Sequence, residues 1–139
     1  SENLIEEMDL IKYMNAFPSQ LSGGMQRRVA IARAFVNKPK ILLLDEPFIS
    51  LDLTTADLLR QMLIKLWNSQ KNTIIFVTHD LREAMYLGDR ILFLSKGPSK
   101  VIHDLKINMQ RPRKAEDIQM ENLRIKLIKE HPEILSGKI

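Results

Sequence analysis

The sequence feature that most limits the fold is an apolar run that ends in two acidic residues. Ile41 to Leu44 are consecutive aliphatic residues, and Asp45 and Glu46 follow directly. A continuous run of this length predicts a central parallel strand that is covered on both faces. A second run of the same character, residues 73–78, ends at His79. Both strands therefore deliver polar side chains to the carboxyl edge of the predicted sheet, where such sheets bind ligands.

Helical patterns alternate with these strands. The segment after the first strand opens with a predicted capping box, Thr54–Asp57, and continues with a stripe of large apolar side chains at helical spacing. We read that stripe as packing: Leu59, Met62, Leu63, Leu66 and Trp67. A helix over 81–87 that ends at Gly88, a strand over 91–94 and a returning strand over 101–107 follow. The order predicts an α/β fold with a mostly parallel sheet flanked by helices.

The first 40 residues are predicted to be helical. A helix over 3–15 would place Leu4, Met8 and Ile11 on one face. A second helix over 25–36 would start at the N-cap Ser22 and bury Val29, Ala32 and Val36.

The net charge of +4 comes from the end of the chain. From Lys96 onward the basic residues outnumber the acidic ones, whereas residues 1–95 are balanced. This basic segment contains a predicted final helix over 115–130 with Leu123, Leu127 and Ile118 buried. Its charge fits either a solvated surface or contact with nucleic acid or an anionic membrane, and the absence of aromatic residues there disfavours base stacking. Cysteines are absent from the sequence, which excludes disulfides and thiolate metal sites.

Ser22, Gly23 and Gly24 form a candidate anion site at a helix start. Free backbone N–H groups and the helix dipole favour an anion there, and the serine adds a hydroxyl donor. A simple helix cap is the alternative interpretation of these three residues taken alone. The wider stretch, Leu21-Ser-Gly-Gly-Met-Gln-Arg-Arg-Val-Ala-Ile-Ala-Arg-Ala34, resembles the signature motif of ATP-binding cassette (ABC) ATPases.

Three further motifs carry the same resemblance, in the family's order. Residues 41–46 resemble its Walker B motif, Ser50-Leu51-Asp52 its D-loop, and His79 its switch histidine. The resemblance covers residues 1–95 well and implies roles for individual residues. Asp45 would hold Mg²⁺, Glu46 would orient or deprotonate the attacking water, and His79 would contact the γ-phosphate. The nucleotide-contacting residues that the resemblance implies are Ser22, Gly23, Gly24, Gln26 and Asp52.

The sequence contains no Gly-x-x-x-x-Gly-Lys-Ser/Thr loop, which in P-loop proteins holds the β- and γ-phosphates. The chain therefore resembles the carboxyl-terminal half of an ABC ATPase domain, a partial P-loop NTPase fold without its Walker A part. We expect the ABC portion to span 1–107, with a helical signature segment at 1–40 and the Walker B to switch-histidine core at 41–107. A basic helical tail would occupy 108–139.

Within the family, the chain looks most like importers of the nitrate, sulfonate, taurine or bicarbonate type. The residues that carry this finer resemblance are Asp45–Phe48, Leu66-Trp67, Thr78–Ala84 and Arg111–Arg113, whereas Ile49 and Leu53 depart from it. The resemblance implies an ATP- and Mg²⁺-dependent subunit that energises import of a small anionic nutrient. Its partners would be a second ATPase subunit and membrane permeases, with no specific nucleic acid, at the cytoplasmic face of the cell membrane. A non-catalytic module that pairs with a complete ATPase, or a soluble non-transport ABC ATPase, are the alternatives.

Overall fold

The computed structural model describes residues 2–113, 117–132 and 134. The chain divides into two compact units, residues 1–78 and 79–139. The first unit holds α1 (Glu2–Glu7), α2 (Gly23–Val36), β1 (Ile41–Asp45), α3 (Leu53–Gln70) and β2 (Thr73–Val77), with short 3-10 helices at Ile11–Tyr13 and Pro18–Gln20. The second holds α4 (Leu81–Leu87), β3 (Arg90–Leu94), β4 (Val101–Lys106) and α5 (Ile118–Glu130).

A parallel β-α-β element forms the first unit's sheet. β1 pairs with β2 in parallel from Ile41↔Thr73 to Asp45↔Val77, and α3 is the connection between them. The predicted stripe on α3 is confirmed, because Leu59, Met62, Leu63 and Leu66 are buried. Trp67 is only partly buried, and its Nε1 donates a hydrogen bond to the Asn72 carbonyl at 3.0 Å.

The expectation that β1 is covered on both faces is wrong for this chain. Leu42 and Leu44 are buried, whereas Ile41 and Leu43 are 64% and 63% exposed. The same alternation continues on β2, where Ile75 is 52% exposed. One face of the pair is therefore covered, whereas the apolar side chains of the other face remain in water. Periodicity alone could not show this, because both faces of β1 are aliphatic.

We expect the 139-residue chain to self-associate through this exposed apolar face. An apolar patch beside unpaired strand edges favours association, so the average mass in sedimentation equilibrium should rise with protein concentration. Replacing Leu43 by Lys should reduce the association, whereas replacing the equally exposed Leu94 of β3 by Lys serves as the matched control. A monomer at all concentrations with a sharp melting transition would contradict this expectation.

The predicted helix over residues 3–15 is shorter than expected. α1 ends at Glu7, and Asp9 adopts a left-handed backbone with φ of 53°. This turn directs both Met8 and Leu10 into the core, while Ile11, expected on the buried face, is 54% exposed.

The start of α2 matches the prediction closely, and its buried side matches in part. The core residues of α2 are Ile31, Ala32 and Phe35, so Ala32 is buried as predicted. Val36 is 51% exposed. Val29, Ala32 and Val36 line a cavity of ≈ 330 Å³ together with Leu4 and Leu10 of the preceding segment.

The second unit packs two helices with an antiparallel hairpin. β3 and β4 pair from Arg90↔Lys106 to Leu94↔Val101, which confirms the predicted returning strand. Its core contains Met85, Ile91, Ile107 and Met120, with Leu123 packed against it. Leu127 of α5 is buried as predicted, but Ile118 is 75% exposed, and Met120 takes the expected buried place. Residues 114–116, at the predicted start of this helix, lie outside the described part of the chain.

Two arginines close the carboxyl end of α4. The Arg113 guanidinium is 1% exposed and donates to the carbonyls of Met85 at 3.0 Å, Gly88 at 2.5 Å and Met109 at 2.8 Å. Arg111 donates to the Leu87 carbonyl and forms an ion pair with Asp89 at 2.9 Å. Burial, and secondarily the charge of Arg111, lower the pKa of Arg113. Part of the basic charge near the chain end is therefore internal to the fold, and the division at residue 107 stays a prediction.

Candidate functional site

The start of α2 presents the predicted anion donors to solvent. Ser22 is the N-cap, and its Oγ accepts a hydrogen bond from the Met25 N–H at 3.3 Å. Accepting this bond uses a lone pair and leaves the hydroxyl hydrogen able to donate. Ser22 and Gly23 are exposed and Gly24 is partly buried. The local sequence is enough to form this end, because a serine before two glycines both caps the helix and keeps its first turn uncrowded.

Gln26 folds back onto the loop before the helix. Its Nε2 donates to the carbonyl of Pro18 at 3.1 Å and to that of Leu21 at 3.2 Å. The amide nitrogen thereby holds the chain that leads into Ser22. A direct contact of Gln26 with a nucleotide, as the family resemblance implies, stays a prediction.

Asp45 and Glu46 lie at the carboxyl end of β1, as predicted. Asp45 is the last residue of the strand and is exposed. Glu46 has a φ of 44°, a left-handed conformation that is costly for a residue with a side chain. Its N–H donates to the Val77 carbonyl at 2.9 Å, which extends the ladder to β2 by one bond. The backbone therefore changes direction at Glu46, so that two consecutive acids are displayed beside the end of the parallel pair.

The loop after Glu46 is anchored by Phe48, a role that the sequence reading missed. Phe48 is 5% exposed. Its ring centroid lies 5.7 Å from that of Phe76 on β2, and the Arg60 guanidinium carbon lies 5.5 Å from it. An aromatic residue two positions after the paired acids was the available signal. Because Phe48 is buried, the segment between Glu46 and Asp52 is held at a fixed point along its length.

Asp52 caps α3, which corrects the predicted capping residue Thr54. Its Oδ1 accepts from the Thr55 N–H at 2.9 Å, and its Oδ2 accepts from the Thr55 hydroxyl at 2.6 Å. The hydroxyl hydrogen bond, followed by the backbone one, lowers the pKa of Asp52. The carboxylate is exposed and charged at neutral pH. Ile49 and Leu53, the two departures from the importer pattern, flank this loop and are 46% and 82% exposed.

The starts of α2 and α3 approach each other closely at Gly24. A Cβ built on Gly24 would lie 2.7 Å from Cγ2 of Thr55, a distance that two carbon atoms do not tolerate. The structure thus brings the start of α2, with Ser22, against the start of α3, with Asp52.

His79 belongs to the second unit, where it is exposed and directly precedes Asp80, the N-cap of α4.

Comparison with known proteins shows which class of protein this chain resembles. The family described as ABC transporter matches residues 1–49. An uncharacterised ABC transporter ATP-binding protein of Methanocaldococcus jannaschii is 42% identical over 128 residues, which are 92% of this chain and 48% of the relative. An aliphatic sulfonates import ATP-binding protein of Pseudomonas syringae pv. tomato is 42% identical over 127 residues, 91% of this chain and 55% of the relative.

A solved structure shows the same fold. It is the dimeric structure of a post-hydrolysis state of an ATP-binding cassette bound to ADP and Pi, with a TM-score of 0.64 and 38% identity over 78% of this chain and 46% of that one. The chain is therefore homologous to the ATP-binding domains of ABC transporters, and the predicted partial ABC ATPase fold is confirmed. The chain spans about half the length of the curated relatives it matches.

The donor set fits Mg²⁺ bound together with phosphates. No group of three or more His, Cys, Asp or Glu side chains that could enclose a metal occurs within the described residues. Mg²⁺ in phosphate-transfer sites needs fewer protein ligands than three, because one or two carboxylates bind it together with water and phosphate oxygens. Asp45, an exposed carboxylate at a strand end, suits that mode.

None of the helices in the described ranges is long and apolar enough to cross a membrane.

Proposed function

We propose that this chain provides the signature and Walker B parts of an ATP-hydrolysing subunit that energises an ABC importer for a small anionic nutrient. The observation that carries the proposal is the pair of acids at the carboxyl end of β1, beside its parallel partner β2. It is supported by the start of α2, where Ser22 is an exposed cap. The importer assignment follows the sulfonate import relatives, which are about 40% identical to this chain.

In this proposal, Asp45 and Glu46 have different roles at the carboxyl end of β1. Asp45 would hold Mg²⁺, which neutralises phosphate charge when it is bound. Glu46 orients the attacking water and accepts its proton, as a general base does. The left-handed backbone at Glu46 ends the strand directly after Asp45, so both acids lie at its carboxyl end. His79, two residues beyond β2, would contact the γ-phosphate.

The signature residues serve a nucleotide held by a partner subunit. Ser22 donates its hydroxyl, and the N–H groups of Gly23 and Gly24 donate from the first helical turn, where the helix dipole favours phosphate. Gln26, in the first turn of α2, and Asp52, the N-cap of α3, belong to the same proposed site. The dimeric relative with ADP and Pi supports a shared site of this kind. Permease subunits would bring the ATPase dimer to the inner face of the membrane.

We expect the isolated 139-residue chain to hydrolyse no ATP. The sequence lacks the Gly-rich loop and lysine that hold the β- and γ-phosphates. Phosphate release measured at saturating Mg²⁺ and ATP should equal that of the Glu46→Gln chain prepared in parallel. Turnover by the wild-type chain that disappears in Glu46→Gln would contradict the expectation and place a complete hydrolytic site within these residues.

The import function is tested with the complete ATP-binding subunit and its permease reconstituted in vesicles. We expect ATP-dependent uptake of an alkanesulfonate or of another small anion of the nitrate, taurine or bicarbonate type. ATP hydrolysis without interaction with any permease would contradict the transport role and favour a soluble non-transport ATPase. Binding to a complete ATPase, with no hydrolysis by the subunit itself, would favour the non-catalytic module.

A further inference from the structure

We propose that Thr55 is a positioning residue that holds the starts of α2 and α3 together, so that the signature donors and Asp52 meet a nucleotide as one rigid group. The nucleotide part of this inference rests on the proposed function. The mechanical part rests on the contact between Thr55 and Gly24 and can be measured without nucleotide.

Gly24 is required for a close approach rather than for an unusual backbone angle. It lies inside α2, where any residue can adopt the backbone conformation. A Cβ at this position would come within 2.7 Å of Thr55 Cγ2, whereas a Cβ on the neighbouring Gly23 would meet nothing within 4 Å. The two glycines of the signature therefore have different physical reasons to be present.

Thr55 cannot easily move aside. Its hydroxyl donates to Asp52 Oδ2 at 2.6 Å, and its N–H donates to Asp52 Oδ1 at 2.9 Å. The hydroxyl and the methyl group share one Cβ, and a β-branched side chain has few χ1 choices in a helix. Rotating the methyl group away from Gly24 would also move the hydroxyl away from Asp52. The Asp52 cap therefore fixes the methyl group against which α2 rests.

The arrangement connects three parts of the proposed site through one side chain. Asp52 holds Thr55, Thr55 rests against Gly24, and Gly24 is two residues from Ser22. A shift of the D-loop segment is thereby transmitted to the helix start whose N–H groups we assign to phosphate binding. Thr55 itself makes no contact with a reacting atom in this scheme.

The structural test uses amide hydrogen exchange of α2 in the complete ATP-binding subunit. We expect Gly24→Ala to raise the exchange rates of residues 25–28 by about 5- to 150-fold. This range is the usual free-energy cost of adding a methyl group to a packed site, converted into a ratio of rates. Thr55→Ser removes Cγ2 and keeps the hydroxyl, so the Gly24→Ala/Thr55→Ser double variant should recover most of the lost protection. Gly23→Ala is the matched control, with no increase in exchange rate.

The functional test measures kcat and KM for ATP in the same variants. We expect Gly24→Ala to lower kcat/KM at least tenfold and Thr55→Ser to restore most of it in the double variant. Thr54→Ser, the same change one residue away, should restore none. Recovery specific to Thr55→Ser separates this inference from a direct clash between the new methyl group and the nucleotide, which removing Cγ2 would not relieve.

Equal exchange in the Gly24→Ala and Gly23→Ala subunits would overturn the inference, as would a lack of recovery in the double variant. Exchange that recovers while kcat/KM does not would overturn the nucleotide part of the inference. A wild-type subunit without ATP hydrolysis would instead overturn the proposed function. The exchange rates alone would then test whether Thr55 holds the start of α2 through its contact with Gly24.

Discussion

Replacing Glu46 by Gln in the complete ATP-binding subunit is expected to lower the rate of ATP hydrolysis by about 10²- to 10⁴-fold, the usual contribution of a general base. The amide keeps the size and hydrogen-bonding reach of the side chain but cannot accept a proton from water. Because Asp45 is unchanged, nucleotide affinity should stay within a few-fold of wild type. Steady-state phosphate release and equilibrium binding of a fluorescent ATP analogue measure the two effects separately.

Glu7→Gln is the matched control, since Glu7 is an exposed glutamate at the end of α1. It should hydrolyse ATP at the wild-type rate. A Glu46→Gln subunit that retains more than about a tenth of wild-type turnover would contradict the role of Glu46 as the base.

Replacing Arg113 by Met is expected to lower the free energy of unfolding by about 3–5 kcal/mol, the scale on which removing one partner of a buried charged network acts. Methionine fills much of the same volume but donates no hydrogen bond. The carbonyls of Met85, Gly88 and Met109 would lose their guanidinium donor in a buried or partly buried environment. Urea denaturation followed by circular dichroism in the far ultraviolet measures the loss.

Arg124→Met gives the comparison for the same substitution at a partly exposed ion pair. Arg124 binds Glu121 one helical turn away on α5, at 2.5 Å, and a pair in contact with water contributes little to the free energy of unfolding. Arg113→Lys keeps the charge but loses the planar fork of donors. Its loss of unfolding free energy should therefore lie between those of Arg113→Met and Arg124→Met. Equal unfolding midpoints for Arg113→Met and Arg124→Met would refute the structural role of Arg113.

Much of the candidate site could be predicted from sequence because each part is a local motif. Ser22 caps α2 through a bond to a residue three positions away, and a serine followed by two glycines carries that information. Asp45 and Glu46 were placed at a strand end because an aliphatic run stops there. The hairpin of β3 and β4 was predicted from the turn between two apolar segments.

The errors have a common physical origin. The sequence predicts Thr54 as the cap of α3, whereas Asp52 holds that position, because a Thr-to-Asp spacing also satisfies the local pattern. Ile11, Val36 and Ile118 fit a helical stripe, yet all three are exposed. A helical period shows that one face is apolar, but it does not show where the helix ends or which neighbour covers that face.

The sequence by itself determined the order of strands and helices, the capped helix start at Ser22 and the paired acids at 45 and 46, because all of these depend on residues within a few positions of each other. Only the tertiary structure decided that Arg113 is internal, that one face of β1 is exposed, and that Gly24 is the point of contact with Thr55. Those outcomes depend on residues about 25 to 35 positions apart in the chain, whose approach no local pattern encodes.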